Sequence, residues 1–227
     1  MTSTRIAPIT GATPGLGAAV AGALAETVSS NHAPIHLLIN NAGIGPGRPP
    51  YRKRILSADG HELRFAVSYL APALLARLLV PTLKNGEPAR IINVASAGQA
   101  PIDFADLRMD HHYSGTQAYY RSKLALVGFT FDLAAELADD AITVNCLHPA
   151  TLMNTPMVRQ AWVPPISSIA TGLRAVMNLA IEPTGATITG RYFDGVREIR
   201  ANGAAYDPEI RSNLRAVTNE ILDPFLQ

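Results

Sequence analysis

Short apolar runs alternate with longer segments of helical periodicity along this chain. Apolar runs bounded by polar or glycine residues predict buried strands, and the amphipathic segments between them predict helices. Five core strands are predicted, at residues 5–10, 36–40, 90–94, 142–147 and 188–193. Helices are predicted near residues 15–30, 59–83, 117–139 and 166–179, and a last helix follows Pro208, a residue suited to a first helical turn. This alternation predicts an α/β fold in which helices flank a parallel sheet.

The bulk composition fits one compact domain. The chain has 227 residues, of which 48% are hydrophobic and 16% charged, and no internal repeat or low-complexity linker divides it. We therefore treat residues 1–227 as a single domain. The formal net charge of +1 gives no indication of a nucleic-acid or membrane partner. No apolar run typical of a signal peptide opens the sequence, so a cytoplasmic location is expected.

Cysteine and histidine usage gives no indication of a disulfide or a metal. The single cysteine, Cys146, excludes an internal disulfide and is interpreted as a small core residue on a buried strand. His111, His112 and His148 lack the spacing and the companion acids of a metal site. We expect no bound metal.

A glycine-rich turn joins the first predicted strand to the first predicted helix. It reads TGATPGLG over residues 10–17. Glycines at such a turn let the backbone approach a pyrophosphate at a helix N-terminus, where unpaired N–H groups and the helix dipole favour an anion. The same glycines also serve tight packing, so the turn alone leaves both interpretations open. A second motif, Asn41-Ala42-Gly43, follows the next predicted strand.

A serine, a tyrosine and a lysine form the third candidate group. Ser96 follows the strand at 90–94, and Tyr119 and Lys123, four residues apart, share one face of a predicted helix. Tyrosine titrates near pH 10, so its pKa must fall by roughly 3 for acid–base work near neutrality. A neighbouring ammonium group supplies part of that change because it favours the phenolate, and a serine hydroxyl can hold the reacting oxygen. In isolation, such a Tyr–Lys pair more often decorates an amphipathic helix.

Together these motifs resemble the short-chain dehydrogenase/reductase family over nearly the whole chain. The segment from His148 to Thr155, after the fourth predicted strand, adds to the resemblance, and the long spacer at 101–117 is similar to that of retinol-dehydrogenase-like members. The resemblance implies that Tyr119 exchanges a proton, that Lys123 lowers the pKa of Tyr119 and holds the nicotinamide ribose, and that Ser96 orients the carbonyl. It also implies a set of cofactor-binding residues, namely Gly11, Gly15, Leu16, Gly17, Asn41, Ala42, Gly43, Lys123 and Thr155.

Ser68 departs from the family pattern, which carries an asparagine at this position. Pro72 lies four residues further on and has no N–H, so it cannot bond the carbonyl of Ser68. The resemblance implies a relay water near this place, and the freed carbonyl is suited to hold it. Ser68 therefore joins Ser96, Tyr119 and Lys123 as a catalytic candidate.

A piece of the family fold is missing between the glycine turn and Asn40. A complete member has two more strands and an intervening helix there, whereas residues 6–47 of this chain contain a single charged side chain, Glu26. No acid is present to bind a ribose hydroxyl, and no arginine to bind a 2′-phosphate. The cofactor is therefore NADP or NAD, with no nicotinamide at all as the third alternative. The resemblance implies a Rossmann-like three-layer α/β sandwich with a shortened, mostly parallel sheet of about five strands.

The shortened sheet also bears on assembly. Pro8 lies inside the first predicted strand, and proline within a sheet is normally confined to edge strands. The loss of two neighbouring strands would leave this strand at an edge and one sheet face without cover, and both features favour burial against a partner. The helices of the family's usual dimer, at residues 63–83 and 119–137, add to this tendency, so we expect a homodimer or homotetramer.

Three functions remain open on this basis. The first is an NAD(P)-dependent oxidoreductase that acts on an alcohol or carbonyl of a small-molecule substrate, with Tyr119 as acid/base and an impaired cofactor site. The second is a cofactor-independent enzyme that uses Tyr119, Lys123 and Ser96 for dehydration, isomerisation or cyclisation. The third is a non-catalytic partner of a complete homologue.

Overall fold

The computed structural model describes Pro8, Thr10 and residues 34–47, 53–85 and 88–226, with the backbone alone at residue 160. A five-stranded sheet runs through these residues in the order β1-β2-β3-β4-β5. The first four strands are parallel to their neighbours, and the last pairs antiparallel. The strands are β1 (Leu37–Asn40), β2 (Ala89–Val94), β3 (Ile142–His148), β4 (Tyr192–Asp194) and β5 (Arg197–Glu198). The mostly parallel α/β sheet predicted from the sequence is confirmed, and β5 is an addition that the sequence did not indicate.

Seven α-helices are described. They are α1 (Leu63–Phe65), α2 (Ala71–Lys84), α3 (Gly115–Glu136), α4 (Pro156–Gln160), α5 (Ile169–Ala180), α6 (Pro183–Thr187) and α7 (Pro208–Leu222). A π-helix, Ala66–Leu70, connects α1 to α2, so the single helix predicted at 59–83 consists of three consecutive segments. The helix predicted at 15–30 lies outside the described residues, as do Gly11, Gly15, Leu16 and Gly17.

Helices cover both faces of the sheet and give it three layers. The expectation that the missing piece leaves one face without cover is therefore wrong for the part of the chain that is described, because α5 covers that face. On one face, α2 and α3 contribute Leu74, Leu79, Leu126 and Phe129 to a core that includes Ile91 of β2. On the other face, α5 packs its buried residues against β1, β2, β3 and β4 through the cluster Ile39, Ile92, Val94, Leu147, Ala175, Leu179, Ala180 and Phe193. Burial of apolar side chains on both faces explains the continuous hydrophobic runs of the parallel strands.

The first segment of the chain pairs with β1. The N–H of Ile39 donates to the carbonyl of Pro8 at 3.1 Å, and the N–H of Thr10 donates to the carbonyl of Ile39 at 3.0 Å. This alternation is the pattern of a parallel ladder. Consecutive segments of the chain therefore lie side by side, and among the described residues no strand pairs with the far side of Pro8.

The helix α7 lies on the outer side of the π-helix and α3. Its residues Leu214 and Thr218 are buried, and the hydroxyls of Tyr69 and Thr218 are hydrogen-bonded. Arg211 and Asp132 form an ion pair beside them. The dimer or tetramer expected from the helices at 63–83 and 119–137 stays a prediction, and α7 occupies part of the surface on which it would form.

One helical stretch of the described chain, Leu63–Lys84, has the length and composition of a membrane-crossing helix. Most of this stretch is buried inside the protein, with Ala73, Leu74, Leu75 and Leu79 at 0–1% exposure. Its apolar character is therefore explained by its place in the core.

Candidate active site

The carboxyl ends of β1, β2 and β3 meet at one edge of the sheet. Residues 41–43 follow β1, Ser96 follows β2, and the segment that leads to Thr155 follows β3. In open α/β sheets this edge is where ligands bind. The parallel pairing therefore brings together three motifs that are far apart in the sequence.

The helix α3 carries Tyr119 and Lys123 to this edge. Ser114 caps the helix by accepting a hydrogen bond from the N–H of Gln117 at 3.4 Å. The next residue is Gly115, where a Cβ atom would lie 2.4 Å from the carbonyl oxygen of Pro46. Only glycine permits this approach, so the start of α3 is fixed against the loop that follows β1.

Lys123 lies between Tyr119 and the end of β2. Its Nζ atom lies 5.8 Å from the centroid of the Tyr119 ring and donates a hydrogen bond of 2.8 Å to the carbonyl of Val94. Lys123 is 4% exposed. The predicted placement of the two side chains on one helix face is therefore observed, and the contact with Val94 directs the ammonium group toward the strand end that precedes Ser96.

Ser96 is held on several sides. Its hydroxyl accepts a hydrogen bond from the N–H of Gly98 at 3.1 Å, and Tyr119 lies close enough for a polar contact with its side chain. Its carbonyl accepts from the hydroxyl of Tyr192 at 3.0 Å and from the amide of Gln99 at 2.9 Å. The sequence did not indicate Tyr192 or Gln99 as positioning residues. The closeness of Gln99 to Ser96 in the chain was the only available signal.

Burial pushes both titratable groups toward their neutral forms. It raises the pKa of Tyr119, and the polar contact with Ser96 offsets this only in part. Burial lowers the pKa of Lys123 to about 8. At neutral pH, Tyr119 is thus a protonated phenol and Lys123 is still mostly an ammonium ion. The sequence led us to expect a lowered pKa at Tyr119, and in the structure desolvation outweighs the opposing causes.

The motif after β1 is fixed by two hydroxyl groups. The hydroxyl of Thr10 accepts hydrogen bonds from the N–H groups of Asn41 and Ala42, each at 3.2 Å. The hydroxyl of Ser68 accepts from the N–H of Ile44 at 3.3 Å. A Cβ atom at Gly43 would lie 3.5 Å from both the Ser68 hydroxyl and Lys123 Nζ. The structure therefore brings Gly43 and two of the catalytic candidates together.

Ser68 lies in the π-helix. It is fully buried, and the N–H of Ala71 donates to the carbonyl of Ala66 five residues back. The wider turn occurs where Pro72 offers no N–H to the carbonyl of Ser68. Single π-turns inside α-helices are frequent at functional sites. The relay water expected beside Ser68 remains a prediction.

A buried ion pair fixes the loop from Gly45 to Pro46. Glu62 and Arg64 are 1% and 4% exposed, and the distance from Arg64 Nη1 to Glu62 Oε1 is 3.1 Å. Arg64 donates to the carbonyls of Gly45 and Pro46 at 2.9 and 3.2 Å. The hydroxyl of Tyr113, just before α3, donates to Glu62 at 2.9 Å. This network connects the loop after β1 to the start of the helix that carries Tyr119. Only the acidic residue before α1 could have indicated it in advance.

Thr155 is the N-cap residue of α4. The side chain of Met157, in the same helix, lies so close to Gly45 that a Cβ atom there would be 2.6 Å from it. The N–H of Asn154 donates to the carbonyl of Ser167 at 3.0 Å. Residues 155–166 thus form a segment that is closed at its base and packed on the residues after β1.

The described part of the site fits the nicotinamide half of a dinucleotide. An ammonium group has three N–H donors, and the hydrogen bond recorded for Lys123 within the described ranges goes to Val94. Lys123 therefore retains donors for the hydroxyls of a ribose, beside a position at Gly43 that carries no side chain. The pyrophosphate-binding turn predicted at residues 10–17 lies outside the described residues except for Thr10.

Two interpretations of individual residues can also be compared with the structure. Cys146 is fully buried in β3, as predicted. A ring nitrogen of His148 is hydrogen-bonded to the hydroxyl of Thr151 at 3.1 Å. Within the described ranges there is no group of three or more histidine, cysteine or acidic residues suited to hold a metal ion.

Comparisons with known proteins agree with this geometry. The model of the short chain dehydrogenase family matches residues 22–164. Retinol dehydrogenase 12 of Bos taurus is 31% identical over 211 residues, which are 88% of this chain and 65% of that protein. An uncharacterised protein from Mycobacterium paratuberculosis matches in structure with a TM-score of 0.71, at 24% identity, over 90% of this chain and 72% of that one.

A third match is the 3-ketoacyl-(acyl-carrier-protein) reductase from Brucella melitensis, solved with NADH. It has a TM-score of 0.57 and 23% identity over 78% of this chain and 72% of that one. The chain belongs to the short-chain dehydrogenase family, whose matched relatives are oxidoreductases. It spans just under two thirds of the length of the retinol dehydrogenase.

Proposed function

We propose that this protein is a nicotinamide-dependent oxidoreductase that interconverts an alcohol and a carbonyl on a small organic substrate, with Tyr119 as acid and base. The observation that carries the proposal is the convergence of Ser96, Tyr119 and Lys123 at the carboxyl edge of the sheet. Ser96 and Tyr119 lie in polar contact, and Lys123 lies beside both the Tyr119 ring and Gly43.

Each side chain has a distinct task. The Ser96 hydroxyl, which accepts from the N–H of Gly98 while the Ser96 carbonyl accepts from Tyr192, orients the substrate oxygen. Tyr119 donates its phenolic proton to that oxygen when a carbonyl is reduced and accepts a proton when an alcohol is oxidised. A bound nicotinamide supplies or accepts the hydride. Lys123 binds the ribose hydroxyls, and its charge favours the phenolate that remains after Tyr119 has given up its proton.

The pKa directions favour carbonyl reduction at neutral pH. A tyrosine whose pKa is raised by burial is fully protonated there and is ready to donate. Oxidation requires the phenolate, whose population rises with pH. The pKa of Lys123, lowered to about 8, is well matched to proton exchange near neutrality. Lys123 and the buried Ser68 hydroxyl both face Gly43, so the two side chains flank one route by which Tyr119 can be reprotonated.

The relatives support the same class of chemistry. The name of retinol dehydrogenase 12 states oxidation of an alcohol, and the Brucella melitensis reductase was solved with NADH. For this chain, both NAD and NADP remain candidates. The one acid between residues 6 and 47, Glu26, falls inside the predicted helix at 15–30 and not at a strand end where it could bind a ribose hydroxyl, and no arginine for a 2′-phosphate is present there.

A second candidate function rests on the composition of residues 6–47. Its single charged residue, Glu26, is consistent with a site that has lost the adenosine half of the dinucleotide. In that case Ser96, Tyr119 and Lys123 would perform proton transfers alone, as in a dehydratase, isomerase or cyclase. A non-catalytic partner of a complete homologue is the third alternative, which predicts no turnover at all.

The test is a matched pair of tyrosine variants. Wild type, Tyr119→Phe and Tyr120→Phe are assayed with primary alcohols and aldehydes of graded size, each with NAD(H) and NADP(H). We expect turnover in wild type, a loss of about 100-fold or more in Tyr119→Phe, and little change in Tyr120→Phe. Unchanged turnover in Tyr119→Phe would refute the proton role. Turnover that never requires a nicotinamide would favour the second function.

A further inference from the structure

Exposed apolar side chains are concentrated on one segment of the molecule. Among the described residues, fourteen large hydrophobic side chains are exposed, and eight of them lie between Met157 and Ile181. The most exposed are Trp162 at 75% and Ile166 at 70%. Scattered exposed hydrophobic residues are ordinary, whereas a contiguous group marks an interaction surface.

The group includes a stripe on the outer face of α5. Ile169, Leu173, Met177 and Ile181 recur every four residues, which places them on one side of the helix, and they are 59%, 58%, 37% and 60% exposed. At 1.5 Å per residue the stripe is about 18 Å long. The opposite side of α5 is buried against the sheet through residues such as Leu179. The helix is therefore apolar on its outer face as well as on its inner face.

An ordinary surface helix of this protein looks different. The exposed residues of α7 include Glu209, Arg215 and Glu220, with charges of both signs. By contrast, no carboxylate occurs anywhere between Asp140 and Glu182, and the only lysine or arginine side chains in that stretch are Arg159 and Arg174. Both arginines are exposed. The stretch that forms α5 and the preceding loop therefore contains two positive charges and no negative one, and the first acid after it is the exposed Glu182, directly after Ile181.

We propose that the segment 157–166 and the outer face of α5 dock on the surface of an anionic lipid bilayer. An exposed apolar stripe, a tryptophan and basic residues are features of a helix that lies in the membrane interface. Arg159 and Arg174 add attraction to anionic headgroups. The whole-chain charge of +1 conceals this feature, because the acidic residues all lie outside the segment.

Docking here would bring the segment that packs on Gly45, beside the candidate site, to the lipid surface. Met157 packs against Gly45, beside the segment that follows β1, and Thr155 begins the same helix. An apolar substrate could then pass from the bilayer to Ser96 and Tyr119 without crossing water. The docking itself does not depend on the proposed redox chemistry, and its test does not use turnover.

The chain supplies its own reporter, because Trp162 is its only tryptophan. The protein is mixed with vesicles of phosphatidylcholine, with or without 30 mol% phosphatidylserine, and its emission and its flotation in a density gradient are measured. We expect flotation with the anionic vesicles, a blue shift of Trp162 emission, and quenching by lipids brominated on their acyl chains. Added salt should weaken the binding.

Two variants and one control locate the surface. Leu173→Glu should weaken vesicle binding at least tenfold, and Arg174→Gln about fivefold. Ile55→Glu, at a position that is 52% exposed but outside the segment, should bind like wild type. Circular dichroism and thermal unfolding verify that all three remain folded.

Several outcomes would overturn the proposal. Absence of flotation would do so directly, and flotation without quenching of Trp162 would show that another surface binds. A blue shift that depends on protein concentration and occurs without lipid would assign the surface to a second copy of this chain. Emission that is already blue in the protein alone and insensitive to vesicles would show that the chain covers Trp162 itself.

Discussion

Burial of the Lys123 ammonium group should lower the free energy of unfolding. Replacing the lysine with an apolar side chain of similar length should therefore make the protein more stable. Burial lowers the Lys123 pKa from 10.5 to about 8. This difference corresponds to roughly 3 kcal/mol in the free energy of unfolding. In Lys123→Met the carbonyl of Val94 loses its donor, a loss of about 1 kcal/mol. The variant should therefore be about 2 kcal/mol more stable than wild type at pH 7.

The pH dependence identifies the cause. Between pH 8 and pH 10.5 the unfolded chain binds more protons at this lysine than the folded protein does, so the stability of wild type rises with pH across this window. Below pH 8 the cost of burying the charge is fully present. The advantage of Lys123→Met should therefore be largest at pH 7 and should disappear as the pH approaches 10.

Urea and thermal unfolding at pH 7 and at pH 10 measure this directly. For a chain of this size, about 2 kcal/mol corresponds to a rise of roughly 4 to 8 °C in Tm. Lys84→Met is the control, because Lys84 is exposed and pairs with Asp140 at the surface, and it should change stability little at either pH. A Lys123→Met protein that is less stable than wild type at pH 7, or equally altered at both pH values, would refute the reasoning.

Three further predictions concern the site. Arg64→Met should lower the free energy of unfolding by about 3 to 5 kcal/mol, because Glu62 is left buried without its partner. The control Arg54→Met removes an exposed pair and should lower it by less than about 1 kcal/mol. Urea unfolding measures both changes. The rate of carbonyl reduction should be constant through neutral pH and fall at alkaline pH, because Tyr119 must be protonated for reduction. The rate of alcohol oxidation should rise with pH, because oxidation requires the ionised Tyr119. A reduction rate that increases with pH would contradict the raised pKa of Tyr119. Ser68→Ala should cost about 1 kcal/mol of stability, because the N–H of Ile44 loses its acceptor, and should weaken nicotinamide binding in calorimetry; unchanged values of both would remove Ser68 from the site.

The general architecture could be predicted because apolar periodicity and burial agree. β1, β2 and β3 lie within one residue of their predicted bounds, and buried cores on both faces of the sheet explain why their apolar runs were easy to recognise. The interruption of the helix at Ala66–Leu70 was not predicted as a π-turn, although Pro72 indicated that a hydrogen bond would be missing there. The two-residue β5 is too short and too polar to give a periodic signal.

In the candidate site, some residues could be predicted from the sequence and others could not. Tyr119, Lys123 and Ser96 could be proposed because, together with the glycine turn and Asn41-Ala42-Gly43, they resemble the motif pattern of the short-chain dehydrogenase/reductase family. The residues that position them could not, because Arg64, Tyr113 and Tyr192 act through contacts between positions that are far apart in sequence. The pKa of Tyr119 shows the same limit. Burial of the ring decides whether this pKa is raised or lowered, and the spacing of residues in the sequence does not indicate how deeply the ring is buried.

Titration of the purified protein with NADH and NADPH tests the central claim most directly. Calorimetry and nicotinamide fluorescence are recorded for wild type and for Lys123→Met, whose fold is verified by unfolding. The account predicts micromolar binding of one of the two nucleotides to wild type and binding at least tenfold weaker in Lys123→Met. No binding of either nucleotide up to millimolar concentration would contradict the claim that this site works with a nicotinamide.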